Sequence, residues 1–403
     1  MPSLLPPLLL TSEPNSFARK TFETRIPRIV NETLAANDFP PAIIANLRAL
    51  HDEIIGGALQ PLIENAPDKN FWNDSARAFI GKTWLDVPWF WAEAFFYRRI
   101  LEATRYFQPG EWHKRDPYAN QKLNELDAAM PVLHNALANL PDNDAEIFRA
   151  LMHADLWGNR IDLSLWGGKT IAALRVRARR ENDHDYLLVD DTARVWEHLT
   201  LTPTLSLAGR GSARVDFVCD NAGTEIAFDL ALADFLLRVN RAQQIVLHLK
   251  AQPLFVSDAM IADVEHTLVA FAQADARELR DLAARIQIAR TENRMILTDH
   301  FFWTTYHFFH EFPDDLRADL ARARLVIVKG DANYRRLIGD CKWNPLTPFA
   351  LATDYFPAPV VAIRTLKGEL IVGLRDGDAE RVRAQDPDWL VNGSRGVIQF
   401  HKF

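Results

Sequence analysis

From about residue 215 the chain alternates short β-rich runs with helical stretches, and this rhythm limits the fold more than any other feature. The runs are VDFVC, QIVLHL, RMILT, RLVIVK and VVAIRT, with helices expected to begin near Asn221, Asp258 and Asp331. Runs this apolar, separated by helices, fit a mainly parallel sheet covered on both faces. Right-handed crossovers then bring the C-terminal ends of the strands to one edge. In open sheets of this kind the ligand crevice lies outside that edge.

The residues expected at that edge are charged. The first run ends in Asp220-Asn221, the second in Lys250 with a loop leading to Asp258, and the third in Asp299-His300. The fourth ends in Lys329-Gly330-Asp331 and the fifth in Arg364-Thr365-Leu366-Lys367. Asp220, Asn221 and Asp258 offer hard oxygen donors of the kind Mg²⁺ and Mn²⁺ accept. An amide cannot act as a base, so the Asp-Asn pair favours ligation over acid–base work. Lys329, Arg335, Arg364 and Lys367 suit an anionic group, as do free N–H groups at the helix starts after Asn221 and Asp331. Together these residues point to phosphate. Each is also explained more simply: Asp258 and Asp331 as helix caps, Lys329 and Arg335 as solvated helix-end charges, Arg364 and Lys367 as hairpin charges before LKGELIVGL. That last segment reads as strand, turn at Gly368, strand. It is their coincidence at one rim that favours a site.

The first 150 residues or so carry apolar positions at helical spacing, punctuated by prolines and Asn/Asp clusters. WFWAEAFFYRR is expected to be helix core or a helix–sheet seam, and Glu93 within it needs a partner. LWGNRIDLSLWGG breaks the rhythm, DYLLVDDTARVWEHL reads as strand, Asp-rich cap and helix, and TLTPTLSLAGRGSAR as an exposed loop. The expected division is a helical domain over 1–150, a connector over 151–214 packing on both parts, and an α/β catalytic domain over 215–403.

Composition excludes several classes. A formal net charge of -7 argues against a nucleic-acid or polybasic-lipid partner. Cys219 and Cys341 are the only cysteines, too few for a disulfide framework or a four-cysteine zinc cluster. Cys219, in an apolar strand, is expected to be an inert buried thiol. MPSLLPPLLLTSEPNS lacks a basic n-region and is interrupted by prolines, so a signal peptide is not expected. No stretch reaches the roughly 20 apolar residues of a membrane span. A cytoplasmic location follows as the expectation. His300, His307 and His310 lack HExxH spacing and sit among aromatics, which favours packing over metal binding. GxGxxG and Walker A fingerprints are absent.

DNAGTEIAFDLALADFLL, LFVSD, LVIVKGDANYRRLIGD and AIRTLK resemble the damage-control metal-dependent phosphatases, formerly a domain of unknown function. Arg364-Thr365-Leu366-Lys367 looks like the RTxK stretch of the branch acting on sugar phosphates, which includes a protein described as an acidic-residue methyltransferase. The likeness extends through LWGNRIDLS, LLVDDTARVWEHL and FARKTFETRIPRIV, nearly the whole chain. It implies a three-layer α/β/α domain with a helical N-terminal domain, and dependence on Mn²⁺ first, then Co²⁺, Ni²⁺ or Mg²⁺. By similarity Asp220, Asn221 and Asp258 are the metal ligands. Asp331, Ala332, Asn333, Tyr334 and Arg335 are the substrate segment, with Lys367 as substrate lysine, and Glu225 matches a methyl-donor position. Ala332 departs from the family, where a larger apolar residue is common.

The expected activity is metal-dependent hydrolysis of a small phosphate monoester such as fructose 1-phosphate. Asp220, Asn221, Asp258 and Lys367 would carry the chemistry, and Arg364 would join the substrate-binding cations. The nucleophile stays open between a water carried by the cation and Asp220 itself. DNAGT also resembles the DxDGT motif of haloacid-dehalogenase phosphatases, but Ala222 stands where their second Asp is needed. Two rivals from other classes are an S-adenosylmethionine-dependent carboxyl (glutamate) methyltransferase and a non-catalytic sugar-phosphate-binding module.

Overall fold

The structure is a computed structural model describing residues 5–158, 186–201 and 213–403. Seven strands form one sheet in the order β1-β7-β6-β5-β2-β3-β4. They are β1 (Leu187–Asp190), β2 (Arg214–Val218), β3 (Gln244–Lys250), β4 (Met295–His300), β5 (Leu325–Lys329), β6 (Val360–Thr365) and β7 (Gly396–His401). The five expected runs are β2 to β6, and neighbours among them are parallel. β7 was not among the expected runs: it enters antiparallel to β6 and pairs in parallel with β1, the strand read from DYLLVDD.

Alternation along each strand sends side chains to opposite faces. Val215 and Phe217 of β2 join Ile245, Leu247 and Ile327 in one core, while Val218 joins Val326, Val328 and Ala362 in the other. Helices Ala119–Ala138, Asp144–Trp157, Thr192–Thr200, Thr224–Arg238, Ile261–Gln273 and Arg277–Thr291 cover the first face. Helices Ile26–Ala35, Pro41–Gly56, Trp89–Ala103 and Gly330–Ile338 cover the second. The fold is thus α/β with three layers and a helical N-terminal region. That region divides: its helices up to residue 103 lie over one face, and the next two enter the opposite layer. Of the 151–214 connector, β1 and Thr192–Thr200 join the sheet and that layer, while most of LWGNRIDLSLWGG and of TLTPTLSLAGRGSAR lies outside the described residues.

The Trp89–Ala103 helix is buried almost all round, as its aromatic composition requires. Phe95 stacks on Trp84 and Trp91, and Phe90 and Tyr97 meet Phe255 from the loop after β3. The aromatic seam therefore ends at the sheet's C-terminal edge. LKGELIVGL is not a strand pair. Its backbone is held by side chains: Arg364 donates to the carbonyls of Gly368 and Leu370, and Gln399 to that of Val372.

Candidate active site

Chain order reverses around β2: β3 and β4 extend to one side, and the chain returns to place β5 on the other. Loops leaving β2 and β5 part there and open a crevice. Backbone bonds lace the β2 and β3 loops together. Ala259 N–H donates to the Asp220 carbonyl at 2.7 Å and Ala222 N–H to that of Ser257 at 2.7 Å. This lacing, with the Asn221–Asp258 bridge, sets Asp220, Asn221 and Asp258 side by side. The β3 loop holds Phe255 and Val256 at φ +47° and +68°, a conformation unfavourable for a β-branched residue.

From the other side, Gly330 closes on Asp220. Its φ is +80°, and a Cβ there would lie 1.8 Å from Asp220 Oδ2. Only glycine leaves that carboxylate in place.

The crevice holds a cavity of about 210 Å³. Asp220, Asn221, Asp258 and Glu225 line it, with Lys367 and Arg25 as cations and Trp89 and Phe255 as aromatic wall. The carboxylates are poorly balanced. Burial first, then Glu225 and Asp258, push the Asp220 carboxyl well above its ordinary value. Asp258 is also raised by burial, against Lys250, whose Nζ lies 3.1 Å from Asp258 Oδ2. Asn221 Nδ2 donates to Asp220 Oδ2 at 2.8 Å and to Glu225 Oε1 at 2.9 Å, and Ser257 Oγ donates to Asn221 Oδ1 at 2.6 Å. Asp220 Oδ1 is buried without a hydrogen-bond partner among the described residues.

These residues fit a divalent cation. Hard oxygen donors converge, one is an orphan, and a positive charge would relieve the repulsion that raises Asp220 and Asp258. Half a turn of the Asn221 amide would present its oxygen to the same place, since Ser257 Oγ can accept from Nδ2. Among the described residues a second group is a possible metal triad: Asp216, His248 and Asp319, with ligand atoms within 4.8 Å. There, however, a cation is already built in. Arg214 donates to both Asp216 oxygens at 2.6 and 2.5 Å and to both Asp319 oxygens at 2.8 and 2.7 Å.

The other expected residues divide into those lining the cavity and those behind it. Asp331, Ala332 and Arg335 line it with Lys367. Burial alone would raise Asp331, but Arg364 and Arg335 hold its carboxyl below the ordinary value. Arg335 is already engaged, bonded to Glu93 at 2.6 Å and Asp340 at 2.7 Å and stacked 3.6 Å over Trp89. Glu93 thus has the partner its aromatic setting demanded. Arg364, Asn333 and Tyr334 are buried behind the wall. Arg364 donates to Asp331 at 2.7 Å, Asn333 to the Cys219 and Lys329 carbonyls, and Tyr334 to Gln399 at 2.8 Å. Lys329 is not a free cation either. Its ammonium is buried between Asp155 and Asp229. Asp299 and His300 lie on edge strand β4 and do not line the cavity. Cys219 is buried, and burial raises its thiol well above the ordinary value.

Sequence reasoning assigned no role to Arg25, Ser257 or Glu125, all of which line the cavity. The available signal was an arginine two residues before a proline in a helical pattern, TRIP, and a hydroxyl beside Asp258 in LFVSD.

Residues 21–382 match the family described as "Damage-control phosphatase ARMT1-like domain". The chain is 33% identical over 438 residues to the damage-control phosphatase ARMT1 of Danio rerio, covering 98% of this chain and 97% of that protein. It is 30% identical to its namesake in Homo sapiens, covering 99% of each. A DUF89 family protein from Pyrococcus horikoshii superposes with a TM-score of 0.52 over 96% of this chain and 98% of its own, at 13% identity, which bears on the fold alone.

Proposed function

The chain belongs to the damage-control phosphatase ARMT1-like family, and on that premise we propose that it hydrolyses small phosphate monoesters with the aid of a divalent cation. Sugar phosphates such as fructose 1-phosphate are the proposed substrates, Mn²⁺ the proposed metal, and the cytoplasm the proposed location. The observation that carries the reading is the imbalance in the cavity. Asp220, Asp258 and Glu225 converge there around an unpartnered Asp220 Oδ1, while Lys367 stands among the lining residues with no ion-pair partner among the described residues.

A divalent cation bound by Asp220, Asn221 and Asp258 would offset charge on a phosphoryl oxygen. Lys367 then gathers the charge that develops on the phosphoryl group as it transfers. Arg364 and Asp331 act as its scaffold: Asp331 Oδ1 accepts from the Lys367 backbone N–H at 3.0 Å and from Arg364 at 2.7 Å, fixing the loop that carries the amine. The small Ala332 leaves the first-turn N–H groups of Gly330–Ile338 approachable to an anion. Partly exposed Phe255 offers an apolar face to the carbon skeleton of a sugar, with Trp89 buried behind Arg335 in the same wall. A cavity of about 210 Å³ lies below the roughly 300–1,000 Å³ typical of drug-sized ligands, and so suits a small monoester better than an adenosyl methyl donor.

Phosphate release from fructose 1-phosphate and related esters, with and without Mn²⁺, tests the reading. Turnover is expected only with the cation and is lost in Asp220→Ala. No turnover in either condition, or turnover that Asp220→Ala leaves intact, overturns it.

A further inference from the structure

The helix that starts at Phe17 widens into a π-helical turn over Thr21–Arg25 before continuing as Ile26–Ala35. The sequence gives the cause. Pro27 has no N–H to donate and its ring crowds the turn before it, so the bond pattern shifts and Ile26 N–H reaches back to the Thr21 carbonyl. Arg25 sits at the end of the widened turn. Its neighbours Ile26 and Pro27 are buried, whereas Arg25 is exposed and lines the cavity.

Arg25 differs from the other arginines near the site. Arg335 is consumed by Glu93 and Asp340, and Arg364 by Asp331 and two carbonyls. Arg25 has no side-chain hydrogen bond or ion pair among the described residues. Its charge nevertheless lies close enough to act on Glu93, whose carboxyl burial raises against the opposing pull of Arg335 first and Arg25 next. A guanidinium turned to a cavity without a partner is a donor fork awaiting an anion, and its planar geometry matches a phosphoryl group.

We propose that Arg25 is a substrate-binding residue, supplying from the N-terminal helical layer the second cation that grips the phosphoryl group opposite Lys367. Resting on the phosphatase reading above, this assignment makes the site a composite. The metal-binding carboxylates come from loops of the sheet, and part of the affinity for the dianion comes from a helix over its other face. It also gives the π-helical turn a purpose, since a regular helix would carry residue 25 to a different angle.

The experiment measures steady-state kinetics on a phosphate monoester and, separately, calorimetric binding of inorganic phosphate to the Mn²⁺-loaded protein. It compares wild type, Arg25→Ala, Arg25→Lys and, as a charge control, Arg28→Ala. Arg28 is on the same helix, paired with Glu32 at the surface and away from the cavity lining. Arg25→Ala is expected to raise KM and weaken phosphate binding by roughly tenfold to a hundredfold. Its melting temperature should stay unchanged, Arg25→Lys should recover part of the loss, and Arg28→Ala should match wild type. If esters are not hydrolysed but phosphate binds through Arg25, the phosphatase reading fails and this assignment stands. Wild-type phosphate affinity in Arg25→Ala, or an equal loss in Arg28→Ala, overturns it.

Discussion

Two groups of acidic side chains lie along β2, and they are balanced in opposite ways. At the start of the strand, Asp216 and Asp319 share one guanidinium, Arg214, and Asp216 also meets His248 at 2.9 Å. Arg214 holds the Asp319 carboxyl below its ordinary value. Just past the strand's end, Asp220, Asp258 and Glu225 gather with Lys250 paired to Asp258, and the carboxyls of Asp220 and Asp258 are nevertheless raised by burial. Both groups hold potential metal ligands. Arg214 already fills the first with positive charge, while the second lacks enough. Proximity of ligand atoms alone therefore does not single out a metal site; in the function proposed above, the charge still missing marks the second group.

The largest expected effect is on chemistry. Asp220→Ala should lower turnover on the order of a thousandfold or more, about 4 kcal/mol of barrier, without lowering the melting temperature of the metal-free protein. Asp216→Ala should leave the metal dependence of turnover unchanged. A reversed result, measured by initial rates against Mn²⁺ concentration, would invert the comparison.

Next in size is the stability of the balanced group. Arg214→Ala strands Asp216 in the core and should cost about 3–5 kcal/mol in denaturant unfolding, because a buried charge loses its partner. Gly330→Ala should cost less, about 1–3 kcal/mol, yet impair turnover strongly by driving its Cβ against Asp220. Refolded, active Gly330→Ala would show that Asp220 need not stay where the glycine admits it.

The smallest effect is a pH dependence of the metal-free protein. A carboxyl raised in the folded state binds more protons folded than unfolded above the unfolded pKa, so stability falls as pH rises. Asp220 should therefore cost the metal-free protein stability as pH rises above about 4, the ordinary carboxylate value, with a slope of order 1 kcal/mol per pH unit until its raised folded-state value is passed. In Asp220→Asn that slope should shrink, which chemical unfolding across the range can measure.

The sequence was most legible where physics is local. Alternating runs and helices revealed β2 to β6, and their charged ends marked the edge where Asp220, Asn221, Asp258, Asp331 and Lys367 line one cavity. β7 was hidden because it pairs on one side with β1, far back in the chain, and nothing in GVIQFH encodes insertion between β1 and β6. LKGELIVGL has the alternation of strands, but Arg364, Tyr334 and Gln399 take its backbone groups instead of a neighbouring strand. The same side chains explain why Arg364 and Tyr334 look like binding residues in a motif and stand behind the wall in the fold. Arg25 was silent for a different reason. Its place depends on a helix more than 190 residues before Asp220 in the chain packing over the sheet, a long-range contact that no local pattern carries.

Calorimetric titration of the metal-free protein with Mn²⁺ tests the central claim directly, comparing wild type with Asp220→Ala and Asp216→Ala. One site is expected in wild type, absent in Asp220→Ala and retained in Asp216→Ala. Binding that survives Asp220→Ala and disappears with Asp216→Ala would contradict the account.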